Sequence, residues 1–589
     1  MTGLFVLLFL QDADLKELQK STDVDVLVYA KGAEWALREK LPEKDASAVR
    51  QAIERGVARA GDADRSWTKK KGKVVRGYRS VVDGSIQPYG VIVPASYDPA
   101  APMRLDVVLH GSQVPTGMSE IRFMERFEGG GAPAQDFIEL HPLGRVENGY
   151  RYAGETDVFE AIESACANYN VDRRRIVLRG MSMGASGTWH LGLKNPDRFV
   201  ALGPYCGYVD THKFSETPIK TFVKVGPLPD YQEKTLTTLD SIDYAANARM
   251  VPAIGAIGDK DVFWDCHVIM GKAMEQEGLK MVNLVSPGTG HVIDPPTHKE
   301  QMRLIGEHVA KGLDPLPREV RFVTWTLKYN RCFWVEVLAL KEHYVRAEIR
   351  ARLTDGGVIE VDEPKNIRSF AISAPGGHFR IGKSEFAIPG LDKKATVFEE
   401  REGRWEPVNE RAGEGKRPGL QGPIDDAFAS PFLCVRGTGK PWNDAVQKWA
   451  DARLKRFSDE WRFWFRGELP VKDDTQVTED DVRRRHLVLF GDPGSNPWIQ
   501  KALPKLPLAW TREELRLRGK TVAGADHGPV LIVAGALAPD RYVVLNSGHT
   551  FHPPELKINY LFFPRLGDWA VMKTDDTVVD AGLFDENWK

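Results

Sequence analysis

Ile176-Val177-Leu178-Arg179-Gly180-Met181-Ser182-Met183-Gly184 places a serine in a Gly-x-Ser-x-Gly frame directly after an apolar strand. The residues that follow, 185–193, can continue as a helix. A strand-to-helix turn this sharp presses its central residue against neighbouring backbone, and Gly180 and Gly184 relieve that crowding. The Ser182 hydroxyl is then expected at a helix N-terminus, where developing negative charge is favoured. The stretch predicts a nucleophile elbow, although a plain glycine-rich turn can have the same pattern.

A second segment offers the backbone of an oxyanion hole. Leu105-Asp106-Val107-Val108-Leu109-His110-Gly111-Ser112 is an apolar strand that ends in His-Gly upstream of the elbow. An oxyanion hole needs two N–H groups aimed at one point, one of them usually from the residue after the nucleophile. We predict that Met183 and Ser112 supply them, with Gly111 letting the chain turn close to the substrate. His110 is interpreted as a residue that packs and fixes this loop.

Two further strands lead to a carboxylate and to a histidine. The apolar run 251–257 is followed by Asp259 and Asp261, either of which could orient a histidine. The run 282–286 is followed by a glycine-rich loop that ends in His291. His267 and His298 lie nearby in the sequence but lack a comparable strand-and-loop setting. The order serine, aspartate, histidine is the chain order of α/β-hydrolases.

The alternation of strands and helices in this region predicts the fold class. Strands near 105–109, 137–140, 176–179, 200–204, 252–257 and 282–286 alternate with helical stretches such as 157–169 and 262–277. This pattern gives a parallel sheet covered on both faces, with ligands bound beyond the carboxyl ends of the strands. We predict an α/β protein with a doubly wound α/β-hydrolase sheet. A small β-sandwich-like segment and a C-terminal α/β layer domain are expected to follow it.

These motifs resemble the catalytic domain of the prolyl oligopeptidase family and the related feruloyl- and acetyl-esterase-like hydrolases. The resemblance covers roughly two-fifths of the chain, about residues 78–312. It implies a serine hydrolase without a cofactor, and its Gly-x-x-Asp spacing favours Asp261 over Asp259. One departure is Ala185, where a second glycine is common after the elbow. The quoted motifs are Asp83-Gly84-Ser85 with Pro88-Tyr89, His110-Gly111, Gly154-Glu155-Thr156-Asp157-Val158, the stretch 169–176, the elbow, and Pro196-Asp197-Arg198-Phe199.

Four units are predicted along the chain. Residues 1–66 form a signal-like or helical segment, 67–313 the hydrolase domain, 314–410 a β-rich domain and 411–589 a C-terminal α/β domain. The last unit contains two glycine-rich loops, 436–440 and 491–496. Neither has the full spacing of a phosphate-binding motif, so both are interpreted as structural turns.

The composition limits which cellular compartments and which binding partners can be expected. The 589 residues carry 80 Lys and Arg against 82 Asp and Glu, a balance that gives no reason to expect nucleic acid as a partner. Five scattered cysteines without a Cys-x-x-Cys pair argue against a disulfide framework and a zinc site. The apolar run 3–10 is too short to span a membrane. This run favours export to a secreted or periplasmic location, with the cytoplasm as the alternative. No feature of the sequence indicates the oligomeric state.

The predicted function is hydrolysis of an ester or peptide bond through an acyl-enzyme on Ser182, with Asp261 and His291 completing the site. The substrate is a small or polymer-linked ester or peptide, and no metal is needed. A carboxylesterase is slightly favoured because no seven-bladed propeller precedes the hydrolase segment. The alternatives are a serine peptidase of the prolyl oligopeptidase family and a non-catalytic binding protein with a hydrolase fold.

Overall fold

The computed structural model describes residues 13–38, 46–113, 118–219, 224–388, 395–409, 415–551 and 562–589. The signal-like run 3–10 lies outside these residues. Within them, no helix combines the length and the apolar character that a bilayer crossing requires. All five cysteines are free thiols.

An eight-stranded sheet forms the first half of the protein. Its spatial order is β1-β2-β4-β3-β5-β6-β7-β8. β1, β2 and β4 pair antiparallel, whereas the pairs from β4 through β3 to β8 are parallel. This topology confirms the predicted α/β-hydrolase fold, and the six predicted strands are β3 to β8. The strands are β1 Gly72–Arg79, β2 Ile86–Val93, β3 Met103–Leu109, β4 Ile138–Pro142, β5 Val171–Met181, β6 Ala201–Tyr205, β7 Ile254–Gly258 and β8 Val282–Ser286.

Helices cover both faces of this sheet. β6 and β7 are buried along their whole length, which explains why they read as continuous apolar runs rather than alternating ones. Two N-terminal helices pack on the edge of the sheet. The first of them lies so close to β1 that a Cβ added to Gly77 would lie 2.3 Å from the Val28 side chain. The helices are Val24–Arg38, Ala46–Ala60, Glu120–Glu125, Ala153–Asn168, Met183–Lys194, Thr211–Ser215, Asp230–Leu236, Trp264–Gln276 and Pro295–Lys311.

Two five-stranded sheets follow and share one apolar core. Their orders are β10-β11-β14-β17-β18 and β16-β15-β13-β12-β9. Phe370 and Phe398 stack within this core with ring centroids 5.5 Å apart. The strands are β9 Glu319–Thr324, β10 Arg331–Cys332, β11 Val335–Leu340, β12 Ala347–Leu353, β13 Val358–Val361, β14 Ile367–Ile372, β15 His378–Ile381, β16 Ser384–Ala387, β17 Thr396–Arg401 and β18 Arg404–Val408.

The C-terminal part is a second α/β layer. A seven-stranded sheet of order β20-β19-β21-β26-β25-β27-β28 lies beside a three-stranded sheet of β22, β23 and β24. The strands are β19 Phe432–Arg436, β20 Val471–Asp473, β21 His486–Phe490, β22 Leu508–Trp510, β23 Glu514–Leu517, β24 Lys520–Ala523, β25 His527–Ala534, β26 Tyr542–Leu545, β27 Trp569–Lys573 and β28 Val578–Gly582. The helices are Asp444–Phe465, Glu479–Arg484 and Pro497–Ala502.

The C-terminal layer contacts a buried ion pair of the hydrolase. Arg145 donates to both carboxylate oxygens of Asp83, at 2.7 and 3.1 Å, and both side chains are fully buried. Trp461 of the C-terminal layer donates its Nε1–H to the same carboxylate at 2.9 Å. Arg145 also donates to the carbonyl oxygen of Phe465 at 3.0 Å. The Asp83 carboxylate is therefore bonded from both parts, whereas Arg145 Nε lies 3.4 Å from Oδ1 of the buried Asp157 and makes no hydrogen bond within the described part of the chain.

Candidate active site

Ser182 lies at a strained turn between β5 and the helix Met183–Lys194. Its φ of 59° is unusual for a residue with a side chain and is typical of functional turns. The turn is held by the Ser182 N–H, which donates to the carbonyl oxygen of Tyr205 at 2.9 Å. A Cβ on Gly180 would lie 2.5 Å from the carbonyl oxygen of Gly184, and one on Gly184 would lie 2.1 Å from that of Leu109. The two glycines of the elbow are thus required by backbone contact.

The structure brings His291 onto the Ser182 hydroxyl. The distance from His291 Nε2 to Ser182 Oγ is 2.8 Å. On its other side, Nδ1 lies 2.8 Å from Oδ2 of Asp261. A carboxylate can only accept, so Nδ1 carries the proton and Nε2 presents a lone pair to the serine. The His291 side chain is 33% exposed, which leaves the reacting edge open to a substrate.

Asp261 is buried and held by more than the histidine. Its Oδ1 accepts the backbone N–H of Phe263 at 2.8 Å. Burial raises the pKa of Asp261, yet hydrogen bonds from the His291 ring and the Cys206 thiol outweigh it and leave the pKa below its ordinary value. The carboxylate therefore stays ionised and can stabilise an imidazolium on His291.

The loops that carry Asp261 and His291 are bonded to each other. A Cβ on Gly258 would lie 2.2 Å from the carbonyl oxygen of Gly290, so the two backbones touch at this glycine. Lys260 N–H donates to the Thr289 carbonyl at 2.9 Å. Asp259, the other predicted carboxylate, accepts the backbone N–H of Gly288 at 2.9 Å. Asp259 thus joins the loops, whereas Asp261 contacts the histidine.

The predicted oxyanion residues lie around the serine. Met183 is the first helical residue after Ser182, and such first-turn N–H groups have no partner within their helix. Gly111 lies close to the elbow, because a Cβ on it would lie 3.4 Å from the Cβ of Ser182. Ser112 donates its hydroxyl to Glu147 Oε2 at 2.6 Å, and Glu147 also accepts a backbone N–H from the next residue of this loop.

Two residues of the site were not predicted to have a role there. Glu147 is buried and holds the loop of Ser112, but no pattern in its own segment marks it. The predicted site did not include Cys206. It is buried after β6, and its thiol hydrogen-bonds the Asp261 carboxylate. Its position at a strand end on the same edge of the sheet was the one available signal. His110 contacts backbone carbonyl oxygens through both ring nitrogens, at 2.9 Å each, as a loop-fixing residue would.

One group in the described part of the chain has the donor atoms of a metal site. Ligand atoms of Cys206, Asp261 and His291 lie within 4.8 Å of one another. Metals bind cysteine as the thiolate. Burial raises the pKa of the Cys206 thiol far above its usual range, so the thiol keeps its proton and donates it to Asp261. Hydrogen bonding accounts for the proximity of these three side chains.

Comparison with solved structures found several proteins similar to part of this chain. A protein from Bacteroides ovatus assigned as a dipeptidyl aminopeptidase IV is 16% identical over 41% of this chain and 36% of its own, with a TM-score of 0.32. A ferulic acid esterase is 19% identical over 41% of this chain and 98% of its own, with a TM-score of 0.30. An S-formylglutathione hydrolase from Agrobacterium tumefaciens is 15% identical over 41% and 95%, with a TM-score of 0.31. The similarity thus spans about a third of the first protein and nearly all of the other two.

Sequence comparison gives a more specific result. No curated protein sequence matches the chain significantly. Residues 144–308, which include Ser182, Asp261 and His291, match the sequence model of the prolyl oligopeptidase family. Together with the α/β-hydrolase topology, this match identifies residues 144–308 as a domain of the prolyl oligopeptidase family.

Proposed function

We propose that this protein is a serine hydrolase that cleaves an ester bond through an acyl-enzyme on Ser182. The observation that carries the proposal is the continuous hydrogen-bonded series from Ser182 Oγ through His291 to Asp261, with both distances 2.8 Å. This is the geometry of a nucleophile, a general base and an orienting carboxylate.

Each residue has a defined role in the proposed reaction. His291 Nε2 accepts the hydroxyl proton as Ser182 Oγ attacks the substrate carbonyl carbon. The resulting imidazolium is stabilised by Asp261 and returns the proton to the leaving group. Backbone N–H groups of Met183 and Ser112 receive the negative oxygen of the tetrahedral intermediate. A water molecule, deprotonated by His291, then releases the acyl group from Ser182.

A peptidase is the second candidate, because the matching family is named for an oligopeptidase. The motif Asp83-Gly84-Ser85 with Pro88-Tyr89 adds to the ester preference drawn from the sequence. Asp83 accepts bonds from Arg145 and Trp461 at the junction of the two α/β parts, so its documented contacts are structural.

Labelling with a fluorophosphonate tests the nucleophile. The wild type is expected to form one adduct, on Ser182, and Ser182→Ala is expected to form none. A Ser186→Ala variant is the control, because the Ser186 hydroxyl accepts the Tyr208 N–H and donates to the backbone carbonyl oxygen of Ser182, whereas the Ser182 hydroxyl contacts the His291 ring. Absence of an adduct on folded wild-type protein would contradict the proposal. Rates on short acyl nitrophenyl esters against Xaa-Pro anilides then separate esterase from peptidase.

A further inference from the structure

A basic cavity lies against the N-terminal helices, at the far margin of the eight-stranded sheet. Its volume is about 540 Å³, and its lining comes mainly from the helix Ala46–Ala60, the turn Ser66–Lys69 and the beginning of β1. β1 is the outermost strand and runs parallel to β4, so its first residues lie at the sheet edge opposite the one that carries Ser182. The cavity is therefore separate from the candidate active site.

Unpaired lysines give this cavity its positive charge. Five basic side chains line it, against two acidic ones. Lys69 and Lys70 are exposed, and Lys73 is partly exposed. Within the described part of the chain, the ammonium groups of these three lysines take part in no hydrogen bond and no ion pair. They are therefore free to bind an anionic ligand.

The two carboxylates of the cavity are bonded to neutral groups. Asp62 accepts the backbone N–H and the hydroxyl of Ser66, at 2.9 and 2.5 Å. Glu128 accepts the hydroxyl of Tyr29. Since their partners are uncharged, these carboxylates leave the lysines of the cavity without a counter-charge in contact.

The helical wall of the cavity adds two guanidinium groups, Arg55 and Arg59. Residues four apart on a helix lie on the same face, about 6 Å apart along the axis. Arg59 donates to the backbone carbonyl oxygens of Asp25 and Val75 at 3.1 and 2.8 Å, so its position is fixed. The positive charges thus extend along two walls instead of converging on one point. Such an arrangement suits a chain with several negative groups better than a single anion.

The aromatic rings at this cavity offer no accessible stacking surface. Tyr29 is 1% exposed and Trp67 is 7% exposed. The guanidinium carbon of Arg59 lies 4.8 and 5.2 Å from the centroids of these two rings. Proteins that bind single-stranded nucleic acid without sequence preference stack the bases on accessible aromatic rings. The cavity therefore favours a polyanion without bases.

We propose that this cavity binds an acidic polysaccharide, whose carboxylate groups pair with Lys69, Lys70 and Lys73. A volume of about 540 Å³ is within the usual range for ligand sites, about 300–1,000 Å³, and suits a short stretch of such a chain. Exposed ion pairs are individually weak, so a polymer that forms several of them at once is the ligand that fits. The proposal does not depend on the hydrolase activity of Ser182.

Fluorescence anisotropy with a labelled oligogalacturonic acid and the full-length protein tests this site at physiological ionic strength. A labelled maltooligosaccharide of the same length is the neutral control and should bind at least roughly tenfold more weakly. The combined variant Lys69→Gln, Lys70→Gln and Lys73→Gln should bind the acidic probe at least roughly tenfold more weakly than the wild type, because three ion pairs are lost. Its affinity should also depend less steeply on salt, since fewer counterions are released on binding. Hydrolysis of a short nitrophenyl ester should be unchanged.

A second triple variant, Lys383→Gln, Lys520→Gln and Lys573→Gln, is the matched control. It removes the same charge from three exposed lysines outside the hydrolase part, and it should bind the acidic probe as the wild type does. The proposal is overturned if the acidic probe does not bind at millimolar concentration, if the neutral probe binds equally well, or if the two triple variants bind alike. Tighter binding of a single-stranded DNA with the same number of charges, through the same three lysines, would overturn the assignment to a polysaccharide.

Discussion

Replacing Asp261 by asparagine tests how the carboxylate acts on His291. In the wild type, Oδ1 accepts the Phe263 N–H and Oδ2 accepts the proton on His291 Nδ1. If the asparagine carbonyl keeps the Phe263 bond, its NH2 group faces Nδ1 and forces the proton onto Nε2. Nε2 then cannot accept the proton of Ser182. The reverse orientation sets two N–H donors against each other.

The size of the effect follows from these contacts. The unmade hydrogen bond of the reverse orientation costs about 1–3 kcal/mol, and the lost charged bond to the imidazolium costs about 1.5–3 kcal/mol. Together they predict a drop in kcat of about 10²–10⁴-fold for Asp261→Asn. KM should change little, because Asp261 is buried behind the histidine and cannot touch the substrate.

The measurement is steady-state hydrolysis of a short nitrophenyl ester, with active sites counted by fluorophosphonate. Asp259→Asn is the matched control, since Asp259 is on the same loop but bonds a backbone N–H of the histidine loop. It should retain activity within about threefold, in line with the small effects of most exposed substitutions. Equal activities of the two variants would refute the assignment of Asp261 as the orienting carboxylate.

Three further outcomes are expected from the structure. Gly184→Ala should destabilise the protein by about 3 kcal/mol, because the new Cβ would lie 2.1 Å from a carbonyl oxygen of β3. The control is Gly306→Ala, which should be neutral or slightly stabilising because no atom lies within 4 Å of its new Cβ. Urea unfolding of the two variants measures the difference. Burial lowers the pKa of His267 to about 4 from 6.5, so its contribution to stability is complete above pH 6.5 and is lost as the pH falls towards 4. Between pH 7 and pH 5, the unfolding free energy of the wild type should therefore fall by about 2 kcal/mol more than that of His267→Gln. An equal fall in the two proteins would refute this role. Arg145→Met leaves the Asp83 carboxylate buried without its cation and should cost about 3–5 kcal/mol, part of which a second change, Asp83→Asn, should restore.

The sequence predicted those parts of the site that follow directly from strand ends. Ser182, Asp261 and His291 each come shortly after an apolar run, and parallel strands place their carboxyl ends on one edge of the sheet. The same reasoning located β3 to β8, because buried parallel strands are continuous apolar runs. It also predicted the small α/β layer at the C-terminus from strands such as β21 and β26, whose residues are buried throughout.

The parts that were not predicted are set by tertiary contacts. Arg145, Val146, Tyr150 and Tyr152 all have positive φ between β4 and the next helix. Residues with side chains adopt this conformation when surrounding packing imposes it, so composition gives no warning. This segment carries Glu147, which is why that contact to Ser112 was missed. Strands such as β16, β18 and β28 were missed for a different reason: they lie at sheet edges and few of their residues are buried, so they contain no apolar run.

The C-terminal part is connected to the candidate site through short, buried contacts. Trp461 bonds Asp83, and Asp83 bonds Arg145. Two residues after Arg145 comes Glu147, which accepts the hydroxyl of Ser112 in the predicted oxyanion loop. Each of these side chains except Ser112 is buried, so the ion pair requires the C-terminal indole and the surrounding apolar residues to exclude water. The hydrolase part therefore depends on the C-terminal part to cover this ion pair, and the loop of Ser112, a predicted oxyanion donor, is linked through it to a domain that contributes no side chain to the Ser182–His291–Asp261 series.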